Sequence, residues 1–185
     1  MDGHIFACFS KKHYNYQSMK KSLLLLALIL ASTQVFSQSH KYQSVFIFSF
    51  TRYVQWPDAY NQGDFEILVL GECPILEELK AMAAAKKVQG DRNIKVTKIN
   101  SPSEVRKCNI LYVPSSKSNQ LEGVLAKVGT QSILVITEEP GLGAKGSDIN
   151  FIVKDGKLAF ELNQGAVSKQ SLKVSIELTR LAVII

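Results

Sequence analysis

Phe65-Glu66-Ile67-Leu68-Val69-Leu70-Gly71 is a nearly continuous apolar run closed by glycine. A strand covered on both faces reads this way, because neither side of its pleat meets water. Pro74 then suits the first turn of a helix, where a missing N–H costs nothing. Leu76, Leu79, Met82 and Ala83 recur at helical spacing to about Lys87, and Gly90 ends the segment. From Asn93 to Ile99, Ile94, Val96 and Ile99 alternate with Lys95, Thr97 and Lys98, the pattern of a strand nearer an edge. Strand, helix and strand in this order make a βαβ unit and commit the chain to a parallel sheet.

Further along, Ser101-Pro102-Ser103-Glu104 has the form of a capping box with proline at the first helical position. The short helix it opens leads to a second buried strand, Asn109 to Val113. Ser118 is placed to cap a helix over Asn119 to Val128, with Leu121, Val124, Leu125 and Val128 on one face and Gly129 as its stop. Ser132 to Thr137 is a third buried strand. After the glycine-rich stretch Glu138 to Ser147, the segments Asp148–Lys154 and Lys157–Leu162 flank Asp155-Gly156, a strong hairpin signal. Gly165 to Ala182 has helical spacing broken near Lys173. Before the first strand, Tyr42, Val45, Phe46, Ser49, Phe50 and Tyr53 fall on one helical stripe from Tyr42 to Val54, widened by Ile47 and Val54, and Trp56-Pro57 stops that helix. The fold class expected is α/β: a layered single domain with a mixed, mostly parallel sheet, a C-terminal β-hairpin and a closing helix. Trp56, at the end of the first helix, and Phe160, in the hairpin's inward register with Leu158 and Leu162, are the expected core markers.

The N-terminal stretch carries a different message. Met19-Lys20-Lys21-Ser22 precedes the apolar run Leu23 to Ala31, and Val35 and Ser37 put small residues at −3 and −1 of a cut before Gln38. This is the form of an export signal, with an apolar core too short to span a membrane. Residues 1–18 fit no part of it and read as an upstream extension annexed by a wrong start, residues 19–37 as the signal peptide, and residues 38–185 as the folded domain. No cysteine stands at the cut to carry a lipid, and no second apolar run reaches the roughly 18 residues of a membrane span. The expected location is the periplasm.

The chain is 185 residues long with a net charge of +6. Half of that charge sits in the leader, on Lys11, Lys12, Lys20 and Lys21 against Asp2. The remaining basic residues are mixed with acidic ones, without the stripe and interleaved aromatics of a nucleic-acid surface. Of three histidines, His4 and His13 precede the cut and His40 lies just after it. The body therefore lacks the histidine of Ser-His and Cys-His nucleophile pairs and of most zinc sites, so no cofactor, metal or catalytic residue is assigned. Gly141-Leu142-Gly143-Ala144-Lys145-Gly146 spells the dinucleotide fingerprint, but a strand follows it where the motif needs a helix N-terminus. It reads as a mobile loop. Glu138-Glu139 reads as a solvated rim, the rival being the acid/base pair of a carboxylate hydrolase. Cys73 and Cys108 are the only cysteines after the cut, and an exported pair invites a disulfide. Against the bond, parallel strands would separate the two by about 15 Å, where a bridge needs Cα atoms within about 7 Å.

Taken together the segments resemble the YfiR family of periplasmic proteins. Arg52-Tyr53-Val54-Gln55-Trp56-Pro57 is similar to its opening Y-V-x-W-P, and Ile67-Leu68-Val69-Leu70-Gly71 to its first strand. Cys108-Asn109-Ile110-Leu111-Tyr112-Val113 and Ile133-Leu134-Val135-Ile136-Thr137-Glu138 resemble two further strands. Asn150 to Val153 with Leu158 to Asn163 resembles its hairpin, and Leu172 to Ala182 its closing segment. The resemblance covers essentially all of the chain after the cut. It implies a non-catalytic regulator that represses a membrane-bound GGDEF diguanylate cyclase through its periplasmic portion, relieved by an outer-membrane lipoprotein. It also implies a homodimer with disulfides. Here this chain departs, with Leu68 where the family's first-strand cysteine stands and Cys73 displaced into the next turn. The alternative is a small-ligand-binding or sensory module serving a sensor kinase or an outer-membrane transport system, with Glu138–Ser147 as its lid.

Overall fold

The computed structural model describes residues 39–185. The leader and the proposed cut between Ser37 and Gln38 lie outside the described residues. The chain opens with helix α1 over residues 39–53, then β1 (Val54–Gln55), β2 (Phe65–Leu70), α2 (Ile75–Ala85), β3 (Lys87–Val88), β4 (Arg92–Ile99) and β5 (Ile110–Val113). It continues through α3 (Leu121–Val128), β6 (Leu134–Thr137), the hairpin β7 (Ile149–Lys154) and β8 (Lys157–Leu162), α4 (Gln164–Lys169), β9 (Lys173–Val174), α5 (Ile176–Leu181) and β10 (Val183–Ile184).

Eight strands form one sheet in the order β10-β8-β7-β6-β5-β2-β4-β3, and β1 pairs with β9 in a separate ribbon. From β4 through β7 all pairings are parallel. β8 returns antiparallel, and β3 adds a short antiparallel edge on the other side. The mixed, mostly parallel α/β fold is thus present. Its antiparallel strands stand at both edges, because β3 folds back on β4 through Gly90 and Asp91, both at positive φ.

The burial of β2 explains its composition. Ile67 and Val69 face one core, and Leu68 and Leu70 face another across the sheet. α1 and α2 close the first core, and α3 closes the second. In the first, Phe46, Phe50, Phe151 and Phe160 form an aromatic cluster with ring centroids 5.3–6.4 Å apart. Phe160 and Trp56 are both buried, and Trp56 meets Phe65 edge to face at 5.2 Å. The β7–β8 turn has Asp155 and Gly156 both at positive φ, as the two-residue hairpin requires.

Three local expectations are corrected. The short helix opened at Ser101 is a single 3-10 turn, Pro102–Glu104, whose Ser101 side chain makes no cap bond, though Glu104 accepts the Asn100 N–H. Ser118 caps nothing, because residues Ser115–Gln120 wind as 3-10 before α3 starts at Leu121. Of the stripe expected along the first helix, Ile47 and Phe50 are buried in α1 and Val54 just after it in β1, but Tyr42 and Val45 face outward and Gln43, Ser44 and Thr51 are buried in their place.

Candidate functional site

The connections leaving β2 and β5 diverge. α2 carries the chain from β2 over one face, and α3 carries it from β5 over the other. In an open α/β sheet the carboxyl ends of two such strands make the crevice where ligands commonly bind. Here the chain occupies that crevice itself. Glu138, just past β6, accepts hydrogen bonds from Tyr112 Oη at 2.6 Å, Gln43 Nε2 at 3.1 Å and the Ser115 N–H at 3.0 Å. Gln43 comes from the first turns of α1 and is buried. Burial, and after it the charge and hydrogen bond of Glu138, push the Tyr112 hydroxyl well above its ordinary pKa, so it stays a neutral donor. Gly71, at positive φ, lies beneath the Lys117 side chain, whose Cε would be 2.8 Å from a Cβ there. The expected solvated rim at Glu138 is instead a three-donor clasp joining α1, β5 and the β5–α3 turn. Glu139 takes no part in it.

The opposite end of the sheet is tied just as closely. Asn109, 3 % exposed, accepts the Glu66 N–H on Oδ1 and donates from Nδ2 to the Tyr60 carbonyl. Its own carbonyl accepts Trp56 Nε1 at 3.1 Å and the Leu134 N–H at 2.9 Å. Arg92 donates to the carbonyls of Gly63, Tyr60 and Asp64, so its guanidinium holds the loop before β2.

Cys73 and Cys108 are both free, and no disulfide joins them. Cys73 follows the carboxyl end of β2 and packs on the first core; Cys108 precedes the amino end of β5 and lies in the second. They are separated by the sheet and by about a strand's length. Burial is the main cause that raises both thiols, Cys73 to about 11 and Cys108 to about 12. Neither is a nucleophile at neutral pH.

The glycine-rich stretch is a packed strap, not a hinged lid. Leu142 is buried in the second core, and the Asn163 side chain holds the Gly143 carbonyl. Gly143 lies so close to Ile185 and Glu161 that a Cβ would fall within 2.6–2.7 Å of their ends. Thr137 Oγ1 meets Ser147 Oγ at 2.8 Å and Asn150 Oδ1 at 2.7 Å beneath it. A strand follows, so no pyrophosphate cradle forms. Among the described residues, no cluster of three or more metal-ligating side chains occurs.

What the surface offers instead is apolar. Tyr42 and Val45 on α1, Ile176 and Leu181 on α5, and Ile184 and Ile185 at the chain end are exposed. α5 is joined to the end of α1, since Val54 pairs with Val174 and the Ser175 N–H donates to the Tyr53 carbonyl. It leads into β10, the edge strand beside β8. Arg52 stacks over the Phe48 ring at 4.9 Å on the same helix. No helix of the described residues is long and apolar enough to cross a membrane.

No curated protein matches the chain in sequence. Residues 40–183 match the YfiR/HmsC-like family, which spans every element from α1 to β10, and the chain belongs to that family. Membership implies a periplasmic regulator of diguanylate cyclase signalling.

Proposed function

We propose that the protein is exported by a leader cut between Ser37 and Gln38 and acts in the periplasm by binding the periplasmic portion of a membrane-anchored diguanylate cyclase. Binding holds the cyclase down, and an outer-membrane lipoprotein lifts the hold. The working form is a homodimer. The observation that carries this reading is the set of exposed apolar side chains on α1, α5 and β10 in a member of this family. A protein interface needs buried aliphatic or aromatic anchors inside a polar rim, and here Lys41 and Arg180 adjoin Tyr42 and Leu181 in sequence. Each fully buried Ile or Leu side chain contributes about 1.5–3 kcal/mol. Association costs roughly 4–15 kcal/mol in lost freedom, so several anchors must act together.

Ile176→Asp with Leu181→Asp tests it. The two positions are 68 % and 65 % exposed, so the fold and its melting temperature should be unchanged. Cellular cyclic di-GMP should rise to the level of a gene deletion, and the exported wild type, not a cytoplasmic form, should restore it. A double variant that still represses removes the face from the reading. If deletion leaves cyclic di-GMP unchanged and the envelope partner recovered is a sensor kinase or a transporter, the cyclase is the wrong target.

A further inference from the structure

Asp148 begins the hairpin and is wholly buried. Its backbone continues the sheet, with its N–H on the Val135 carbonyl and its carbonyl on the Asn163 N–H. Its side chain turns inward. Oδ2 accepts the Val135 N–H at 2.6 Å. The Gln170 amide, with its nitrogen turned inward, donates to the same oxygen at 2.9 Å and to the Ile133 carbonyl. Oδ1 has no partner among the described residues. Its hydrogen-bonding partners from β6 and from the residue after β8 are the backbone groups of Val135 and Asn163. α4 presents the Gln170 amide, and Ser147 precedes it in the strap. The charged groups nearby, Lys145 of the strap and Lys169 of α4, line a neighbouring cavity of about 310 Å³ that also borders Gln170.

A neutral carboxyl costs less here than an ionised one. Oδ2 accepts two N–H groups in either form, and a proton on Oδ1 would leave only an uncharged O–H without a partner. In the ionised form half of the charge rests on that oxygen, which no donor among the described residues reaches, in a buried site. We propose that Asp148 and Gln170 form a protonation-controlled latch: neutral Asp148 holds α4 and the 138–147 strap against β6, and ionised Asp148 releases them toward the cavity where Lys145 and Lys169 stand. Gln170 caps α4, and Ser171 and Leu172 follow it into β9 and α5. Release therefore loosens the segment that carries Ile176 and Leu181. The titration stands without the proposed partner; only its effect on partner binding rests on that reading.

The direction follows from burial, which raises this carboxyl from 3.8 to about 7 against the weaker pull of the Val135 and Gln170 donors. A group that holds its proton more tightly when folded contributes stability below its unfolded pKa and loses it as pH rises through the folded value. The window lies between about pH 4 and pH 7. In the full domain, the Asp148 carboxyl carbon followed by NMR should titrate with a midpoint near 7, and a midpoint near 4 overturns the latch. Amide protection at Val135 and Gln170, corrected for intrinsic exchange, should fall by up to about tenfold per pH unit between about pH 4 and pH 7 and level off above the midpoint. It should be flat in Asp148→Asn, and equal pH dependence in both proteins also overturns it. If the variant does not fold, the wild-type titration decides alone.

Discussion

Asn109→Ala should cost the domain about 2–4 kcal/mol, and the estimate comes from counting what each atom loses. The side chain makes two hydrogen bonds, to the Glu66 N–H at 3.0 Å and the Tyr60 carbonyl at 3.1 Å. The Tyr60 carbonyl keeps Arg92 Nη2 at 3.2 Å, so that loss is an ordinary one of about 1 kcal/mol. Asn109 Oδ1 is the acceptor of the Glu66 N–H near the amino end of β2. Leaving such a donor unsatisfied costs about 1–3 kcal/mol. The backbone bonds of residue 109 to Trp56 Nε1 and the Leu134 N–H survive the substitution, so the strand order should not change. Asn109→Asp should be worse than alanine, since one carboxylate oxygen would then face the Tyr60 carbonyl. Urea unfolding followed by Trp56 fluorescence gives the free energy and the slope together. A loss under about 1 kcal/mol for alanine at unchanged slope, or an aspartate variant as stable as wild type, would refute the claim that this side chain ties β2 to β5.

Two more expectations concern groups that sequence reading weighed for chemistry. Glu138→Gln with Glu139→Gln should lose about 1–2 kcal/mol, because a glutamine NH2 must then face the Ser115 N–H or the Gln43 amide. A hydrolytic activity present in wild type and missing from this pair would instead support a carboxylate enzyme. Cys73 and Cys108 should resist iodoacetamide at pH 8 in the native state and label fully in denaturant, their thiols being held up by burial. The melting temperature should be the same with and without dithiothreitol, and a drop on reduction would place a bridge in the fold.

The elements legible in the sequence were those fixed by local chemistry. The two-sided apolar run of β2, the proline before α2, Gly129 after α3 and Asp155-Gly156 between β7 and β8 each state a conformation within a few residues. The knots at the two ends of the sheet were not legible. Gln43 meets Glu138 across 95 positions, and Trp56 meets Asn109 across 53. Nothing local in Asn109 or Glu138 marks a residue that closes such a contact. Both lie inside segments whose likeness to the family could be seen, but a likeness in letters does not say which atoms are bonded. The strap failed for a related reason. Glycine suggests freedom, yet Gly143 is small because Ile185 and Glu161 press on it, and sequence does not distinguish glycine that bends from glycine that makes room.

The part of the first helix's stripe that departs from expectation bears most on function. The helix has apolar residues on nearly every side, Tyr42, Val45, Phe46, Ile47, Phe48 and Phe50, so periodicity fixed that it was a helix and left its phase undetermined. The fold chose a phase that buries Gln43 and Thr51 and exposes Tyr42 and Val45. For packing alone this is the wrong way round, since buried polar groups need partners and exposed apolar ones gain nothing. The partners are supplied: Glu138 takes the Gln43 amide, and Thr51 donates to the Phe48 carbonyl at 2.7 Å. The exposed pair has no such compensation among the described residues. A local rule broken without a gain inside the fold points to a gain outside it. α5 repeats the pattern, burying Leu178 and exposing Ile176 and Leu181 on a helix of six residues. Two helices joined through one short ribbon thus each leave apolar side chains uncovered, which is consistent with the proposed role of a regulator covered by a partner.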